Sequence, residues 1–290
     1  MRGHNYAKRR AGSAIIAVAL AKRNLLKEIS TSIEIRPSAG LIYGPPGSGK
    51  TSTCGQQKGV VCQPFTSENS YGLLKQSGAV RPDLATLPAA ESWSDVLDGL
   101  DALATGDHKF TTYVLDTISC AERMCHEHVC QRDFGGDWGE RGFAGYQRGF
   151  EVSLNEWRGF LDALDLLRDS RSMGIILIGH AQIKEHRDPR MSPFDRWGCD
   201  IHKKTFAITN RWCDYVFFNT FLIDVTEEGN RSKAHGGDER VFCVNPNAAY
   251  EAKNRFGMEE DIPAGDSPQE AWKNIVESIK NAKNAKNGGE

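Results

Sequence analysis

The sequence predicts an α/β fold with a mainly parallel β-sheet that carries helices on both faces. After Pro37, short runs rich in β-branched and aromatic residues alternate with longer segments of helical periodicity, as in a covered parallel sheet. The apolar run at 41–43 passes directly into a glycine-rich turn, which is typical of a buried strand that gives way to a helix. With 290 residues, of which 39% are hydrophobic, the chain is large enough for one such domain.

Three parts are predicted along the chain: a basic N-terminal helical arm at 1–36, an α/β core at 37–265, and a C-terminal helix with a polar tail at 266–290. A basic cluster and an apolar run at 14–21 imitate a signal peptide, but the run is short, rich in alanine and followed at once by Lys22 and Arg23. A basic helix over about 13–29 is favoured, with a signal peptide as the alternative. No membrane partner is expected, and eight irregularly spaced cysteines favour reduced thiols in the cytoplasm.

The individual elements follow from the periodicity of apolar residues. Helices are predicted around two apolar stripes, at 93–103 and 150–167, over 118–130, and from the capping box Ser267–Glu270 onward. The helix after the glycine-rich turn is expected to be very short, and the residues from 281 onward to form a frayed polar tail. Strands are predicted at 41–43, 59–65, 111–116, 174–179, 214–219 and 241–252.

The turn at Gly44–Thr51 has the Gly-x-x-x-x-Gly-Lys-Thr pattern of a phosphate-binding P-loop. Its glycines let backbone N–H groups turn inward around phosphate, and the following helix begins with its positive end toward the anion. Lys50 is predicted to reach the β- and γ-phosphates, and the Thr51 hydroxyl to bind Mg²⁺. ATP and Mg²⁺ are therefore the predicted cofactors. The predicted nucleotide-binding residues are Gly44, Pro45, Pro46, Gly47, Ser48, Gly49, Lys50, Thr51 and Ser52.

Two acidic residues at strand ends are candidates for the metal site and for the activation of water. The apolar run 111–116 ends in Asp116, which would hold the magnesium's water shell opposite Thr51; the alternative is a helix N-cap. Because Thr117 follows instead of an acid, the general base must come from elsewhere. Glu68, after the second predicted strand, is the candidate, and its alternative is a solvated cap of the next helix.

The strand predicted at 174–179 would deliver His180 and Gln182 beside the nucleotide. A polar side chain at that place can sense the γ-phosphate, and we predict this role for both residues. The alternative is a strand end that simply leaves the core.

A cluster of thiols and imidazoles lies on one predicted helix. His126 and Cys130 are four residues apart and could share a metal, but no Cys-x-x-Cys pair accompanies them. Buried thiols and surface histidines are therefore favoured over a metal site. The cluster comprises Cys120, Cys125, His126, His128 and Cys130.

The order of these motifs resembles the RecA-like P-loop family, specifically the compact phage nucleotide-binding proteins that include ATP-dependent single-strand annealing proteins, with RadA as a relative. The resemblance covers roughly 38–262. In RecA-like filaments, basic residues near the position of Lys-Asn-Arg-Phe-Gly reach the neighbouring subunit's nucleotide, which would give that role to Lys253 and Arg255. The matching segments are Ile42–Thr51, Glu68, Val114–Asp116, Ile178–Gln182, Cys213–Val216 and Ala252–Gly257.

The same resemblance implies two mobile DNA-binding loops, which here would be about 131–146 and about 183–205. Both contain aromatic residues for base stacking and basic residues for phosphates. The second also holds four acids, so a solvated insertion is an equally favoured interpretation. The predicted DNA-binding residues are Arg132, Trp138, Arg141, Lys184, Arg187, Arg190, Arg196 and Trp197.

The resemblance therefore implies an ATPase that binds single-stranded DNA and promotes annealing or strand exchange in phage recombination. It further implies a homo-oligomer, ring or filament, with ATP at subunit interfaces, a single-strand-binding protein as a further partner, and the host cytoplasm as location. Two other functions are retained as alternatives: a P-loop phosphotransferase, and a nucleotide-gated binding module that does not hydrolyse ATP.

Overall fold

The computed structural model describes Ile29, residues 36–228 and residues 231–287 of the chain. The helix predicted over about 13–29, and nearly all of the basic arm predicted at 1–36, lie outside the described residues. Among the described residues, no helix has the length and apolar character needed to span a membrane.

The described strands form a ten-stranded sheet in which the order along the main path is β10-β8-β7-β1-β5-β4-β2-β3. The stretch from β7 to β3 is parallel, whereas β8 and β10 continue it as antiparallel strands. The strands are β1 (Ala39–Gly44), β2 (Val60–Pro64), β3 (Ala85–Thr86), β4 (Thr112–Asp116), β5 (Gly174–His186), β6 (Phe194–Cys199), β7 (Tyr215–Glu228), β8 (Arg231–Cys243), β9 (Lys253–Asn254) and β10 (Ile262–Pro263).

Helices cover both faces of this sheet, so the α/β class and the mainly parallel sheet are confirmed. Beside a short 3₁₀ helix (Gly145–Gln147), the helices are α1 (Lys50–Cys54), α2 (Tyr71–Gln76), α3 (Trp93–Thr105), α4 (Ile118–Phe134), α5 (Arg148–Arg171), α6 (Lys203–Trp212) and α7 (Pro268–Asn287).

Alternate residues of each central strand serve two separate cores, because successive side chains of a strand point to opposite faces. Leu41 and Tyr43 of β1 belong to the core beneath α3, α4 and α5, where Trp93 stacks on Trp157 at 5.9 Å between ring centroids. Ile42, between them, belongs to the core that includes residues of α1 and α7. The helical stripes predicted at 93–103 and 150–167 are thus confirmed as core-facing.

Four predicted element boundaries are wrong. The strand predicted over 241–252 ends at Cys243, because Pro246 cannot donate to a ladder and the Asn247 side chain accepts from the N–H groups of the next residues to form a turn. The strands predicted to end at 179 and 219 continue into long hairpin arms. The C-terminal helix runs on to Asn287, where a frayed tail was expected.

The register of the parallel strands positions the candidate site. Gly44 at the end of β1 lies opposite His180, and Asp116 at the end of β4 lies opposite Pro64 at the end of β2. The carboxyl ends of these strands therefore meet at one edge of the sheet. The short α1, as predicted, begins there at Lys50.

Candidate nucleotide-binding site

The loop that joins β1 to α1 has the backbone geometry of a phosphate-binding turn. Gly47 and Gly49 have φ values of 79° and 87°, in the left-handed region that favours glycine. At Gly44, a Cβ atom would lie 2.0 Å from the carbonyl oxygen of Asn219, so only glycine fits between β1 and β7. The buried Asn219 amide of β7 also donates to the Ser48 carbonyl oxygen at 3.1 Å, which ties the loop to β7.

Lys50 folds back over this loop and is only 6% exposed. Its Nζ donates to the carbonyl oxygens of Gly44 and Pro45 at 2.9 and 2.8 Å. Burial lowers the pKa of Lys50 to about 8, against the attraction of Asp116, which raises it. Lys50 thus lines a cavity of about 360 Å³ together with other residues of the loop, Asp116 and His180.

The pair expected to hold magnesium is assembled. Thr51 Oγ1 donates to Asp116 Oδ2 at 2.8 Å, and the hydroxyl of Tyr71 donates to the same oxygen at 2.9 Å. Asp116 is 7% exposed, and burial raises its pKa. A hydroxyl and a carboxylate side by side at a P-loop are the donor set that Mg²⁺ takes with a nucleotide, so the residues present fit the ion. Bound there, the ion would neutralise charge on the phosphates.

Glu68 lies at the same edge of the sheet, in a short turn after β2. It accepts a hydrogen bond from Thr117 Oγ1 at 3.0 Å and contacts His180 Nε2 at 3.2 Å. Burial raises the pKa of Glu68, but the hydrogen bonds from His180 and Thr117 outweigh it and hold the pKa below the ordinary value. The carboxylate is therefore ionised at neutral pH and oriented by two neighbours, as a general base requires.

The site lies inside a stretch of chain that matches a known family. Residues 36–256 match the family model described as an AAA domain. The chain belongs to this AAA domain family. Together with the fold, this membership makes the chain a P-loop NTPase domain, a class that uses a nucleotide with Mg²⁺.

Comparison with solved structures shows similarity to the crystal structure of the RadB recombinase. The identity is 13% and the TM-score 0.39, over 71% of this chain and 80% of that chain. No curated protein matches the chain.

Four residues of the AAA domain's site were not found from the sequence. Tyr71 and Thr117 orient the carboxylates of Asp116 and Glu68, while Asn219 and Arg240 support the P-loop from β7 and β8. Thr117 directly follows the predicted metal residue and could have been found from that position. The other three come from distant segments that carry no local motif.

Gln182, which was predicted beside the nucleotide, is not among the residues that line the P-loop cavity. It lines a cavity of about 390 Å³ together with Trp138 from the first predicted DNA-binding segment and Asp200 and His202 from the second. The structure thus brings the two segments together beside Gln182, two residues along β5 from His180. The segments are not loops throughout: α4 extends to Phe134, and the second is largely the β5–β6 hairpin.

The cations of these segments divide into two groups. Arg187 and Arg190 are about four-fifths exposed at their side chains and pair with acids two residues away. Others are tied into the fold: Lys184 donates to two carbonyl oxygens, and Arg196 pairs with Glu251. Arg132 joins Asp133 and Glu156, whereas Arg141 is exposed.

The aromatic rings of the two segments also differ in access to solvent. Trp197 is half-buried and stacks near Phe218 of β7, which leaves little of its ring for a base. Trp138 retains 46% exposure beside Phe143. Trp138 is therefore better placed for stacking.

Lys253 and Arg255 lie at the amino edge of the sheet, away from the P-loop of their own chain. Lys253 is in β9, which pairs with the start of β7, and donates to carbonyl oxygens at the end of α6. Arg255 pairs with Asp214 at 2.9 Å and donates to the Arg211 carbonyl oxygen. Their role in a neighbouring subunit stays a prediction.

The thiols of the α4 cluster are buried, as predicted for that cluster. His126 is not a surface histidine: it is half-buried and packs edge-on against Phe150, and burial lowers its pKa to about 4. Within residues 36–228 and 231–287, no three His, Cys, Asp or Glu side chains are grouped to hold a metal ion.

Proposed function

We propose that this AAA domain binds and hydrolyses ATP, with Lys50 on the phosphates, Thr51 and Asp116 at the magnesium ion, and Glu68 as the general base. The observation that carries the proposal is the meeting of Thr51, Asp116 and Glu68 at one edge of the sheet, each oriented by a hydrogen bond. Catalysis by P-loop NTPases depends on positioned groups of this kind, because the protein itself does little covalent chemistry.

The proposed reaction is the in-line attack of water on the γ-phosphorus of ATP, which breaks its bond to the oxygen shared with the β-phosphate and leaves ADP. Glu68 takes the proton of the water, while the neighbouring His180 holds the carboxylate in place and is the proposed sensor of the γ-phosphate. Lys50 leaves the carbonyl oxygens of the loop when the phosphates offer it a stronger, fully charged partner.

Lys50→Ala tests the nucleotide site. We expect turnover to be abolished and ATP affinity to fall steeply, because the variant removes the cation of the P-loop. Arg158→Gln, on the exposed surface of α5, serves as a control for the loss of a positive charge. Near-normal turnover in Lys50→Ala would rule out the assignment. Labelled ATP distinguishes hydrolysis, which releases inorganic phosphate, from phosphotransfer to another acceptor.

We further propose that the domain binds single-stranded DNA and promotes annealing or strand exchange as an oligomer, as the resemblance to phage annealing proteins implies. The convergence of the two predicted segments at Gln182 supports this, since a nucleotide-dependent change at His180 would reach both. Exposed ion pairs contribute only about 0–1 kcal/mol, so Arg187 and Arg190 can exchange their acids for DNA phosphates at little cost.

The salt dependence of binding to an oligonucleotide tests this proposal. Arg187→Gln combined with Arg190→Gln should reduce the slope of log affinity against log salt by about 1.4, or about 0.7 for each lost phosphate contact. Trp138→Ala should weaken binding about 5- to 150-fold at every salt concentration, through lost stacking. Arg158→Gln is again the control. Unchanged binding in the triple variant would exclude these segments as the DNA site.

A further inference from the structure

Arg240 of β8 reaches across the edge of the sheet to the P-loop. Residue 240 lies opposite Phe221 of β7, and β7 in turn pairs with β1, whose end leads into the loop. The Nη1 atom of Arg240 lies 3.5 Å from the carbonyl oxygen of Ser48. A Cβ atom on Gly49 would lie 2.3 Å from the same nitrogen, so the guanidinium touches the backbone of the loop itself.

The P-loop that Arg240 touches has few sources of positive charge of its own. Between Gly44 and Thr51 the only cationic side chain is Lys50. The helix that follows, α1, has only five residues, so it aligns few peptide dipoles toward an anion at its start. An ATP molecule brings about four negative charges, and a second cation near the loop would attract them strongly in a partly buried site.

We propose that Arg240 is this second cation, acting from the same subunit and increasing the affinity of the P-loop for polyphosphate through its charge. The inference rests on the proposed function, since it assumes that nucleotide binds at the P-loop. The inference adds to the nucleotide site a residue that lies far from the P-loop motif in sequence. This role of Arg240 requires no neighbouring subunit. It also gives a reason for glycine at position 49 beyond backbone conformation: any side chain there would displace the guanidinium.

An alternative role for Arg240 is purely structural, because its contact with Ser48 resembles the one that Asn219 makes to the same carbonyl oxygen. The two roles predict different results. A structural contact needs only an N–H donor, which glutamine also supplies. Loss of that contact would weaken the binding of all nucleotides alike. A charge effect needs a cation, which lysine supplies, and its loss would weaken ATP more than ADP, and ADP more than AMP.

The test measures the Kd values of ATP, ADP and AMP by calorimetry for the full chain and for the variants Arg240→Gln, Arg240→Lys and Arg158→Gln. We expect Arg240→Gln to raise the Kd for ATP about 10- to 100-fold, the range for a lost charged contact, with a smaller rise for ADP and the smallest for AMP. The same variant should reduce the salt dependence of ATP binding. Arg240→Lys should stay within about threefold of the native protein, and Arg158→Gln should be unchanged.

Native affinity in Arg240→Gln would overturn the inference. Equal losses in the Gln and Lys variants would show that a positive charge does not restore binding, and would also overturn the inference. Equal losses for all three nucleotides would overturn it as well, because an effect of charge must grow with the number of phosphates. These results leave the proposed function standing, because the native protein still binds ATP in them. If the native protein bound no nucleotide, Arg240 and the proposed function would fall together.

Discussion

Replacing Glu68 with glutamine tests the proposed chemistry most directly, because the change keeps the shape of the side chain and removes its basicity. The amide oxygen can still accept the hydrogen bond that Thr117 Oγ1 donates at 3.0 Å, so the turn after β2 should keep its place. It cannot take a proton from water. The variant therefore separates the position of residue 68 from its function as a base.

A positioned general base contributes about 10²- to 10⁴-fold to a rate, so the barrier for hydrolysis in Glu68→Gln should rise by about 2.7–5.4 kcal/mol. ATP binding should be unchanged or tighter, because the variant removes a negative charge near the γ-phosphate. Single-turnover hydrolysis of labelled ATP gives the rate, and calorimetry gives the affinity. Glu127→Gln, on the exposed face of α4, is the matched control.

The pH dependence gives a second readout of the same residue. The hydrogen bonds from His180 and Thr117 hold the pKa of Glu68 below its ordinary value, despite its burial. The active form is the carboxylate, so activity is lost as the pH falls through this lowered pKa. His180→Ala removes one of these hydrogen bonds and should move the loss to higher pH. Hydrolysis within threefold of native in Glu68→Gln would refute the reasoning.

Three further predictions concern stability and assembly. His126→Phe should remove a loss of stability at low pH that the native protein shows. The pKa of His126 in the folded protein is about 4, below the ordinary 6.5, so the unfolded chain takes up the proton first as the pH falls. The free energy of unfolding of the native protein should fall by at most about 3 kcal/mol as the pH drops from 6.5 to 4, measured by urea titration. Trp157→Phe should cost about 2–4 kcal/mol, because the buried indole donates to Thr209 Oγ1 at 2.9 Å and stacks on Trp93; an unfolding midpoint equal to native would contradict this. If the site is completed in trans, Arg255→Ala and Lys50→Ala subunits should each be inactive and their mixture should recover part of the activity, whereas normal turnover in Arg255→Ala alone would exclude that model.

The sequence by itself determined those features that depend on neighbouring residues. The P-loop, the short α1 and the strand that ends in Asp116 could all be predicted, because a phosphate-binding turn requires glycines, a lysine and a hydroxyl at fixed spacing. The core-facing stripes of α3 and α5 were likewise visible in their helical periodicity. The placement of Glu68 at the strand end after β2 came from the same local order of motifs.

Only the tertiary structure decided which side chains from distant segments orient these groups. Tyr71 reaches Asp116, and Asn219 and Arg240 reach Ser48, across 45, 171 and 192 positions of the chain. No local pattern encodes such contacts, since they arise when sheet pairing brings strand ends together. The β5–β6 hairpin illustrates the same limit: its length depends on pairing with a partner strand, whereas the family resemblance implied a mobile loop at about 183–205.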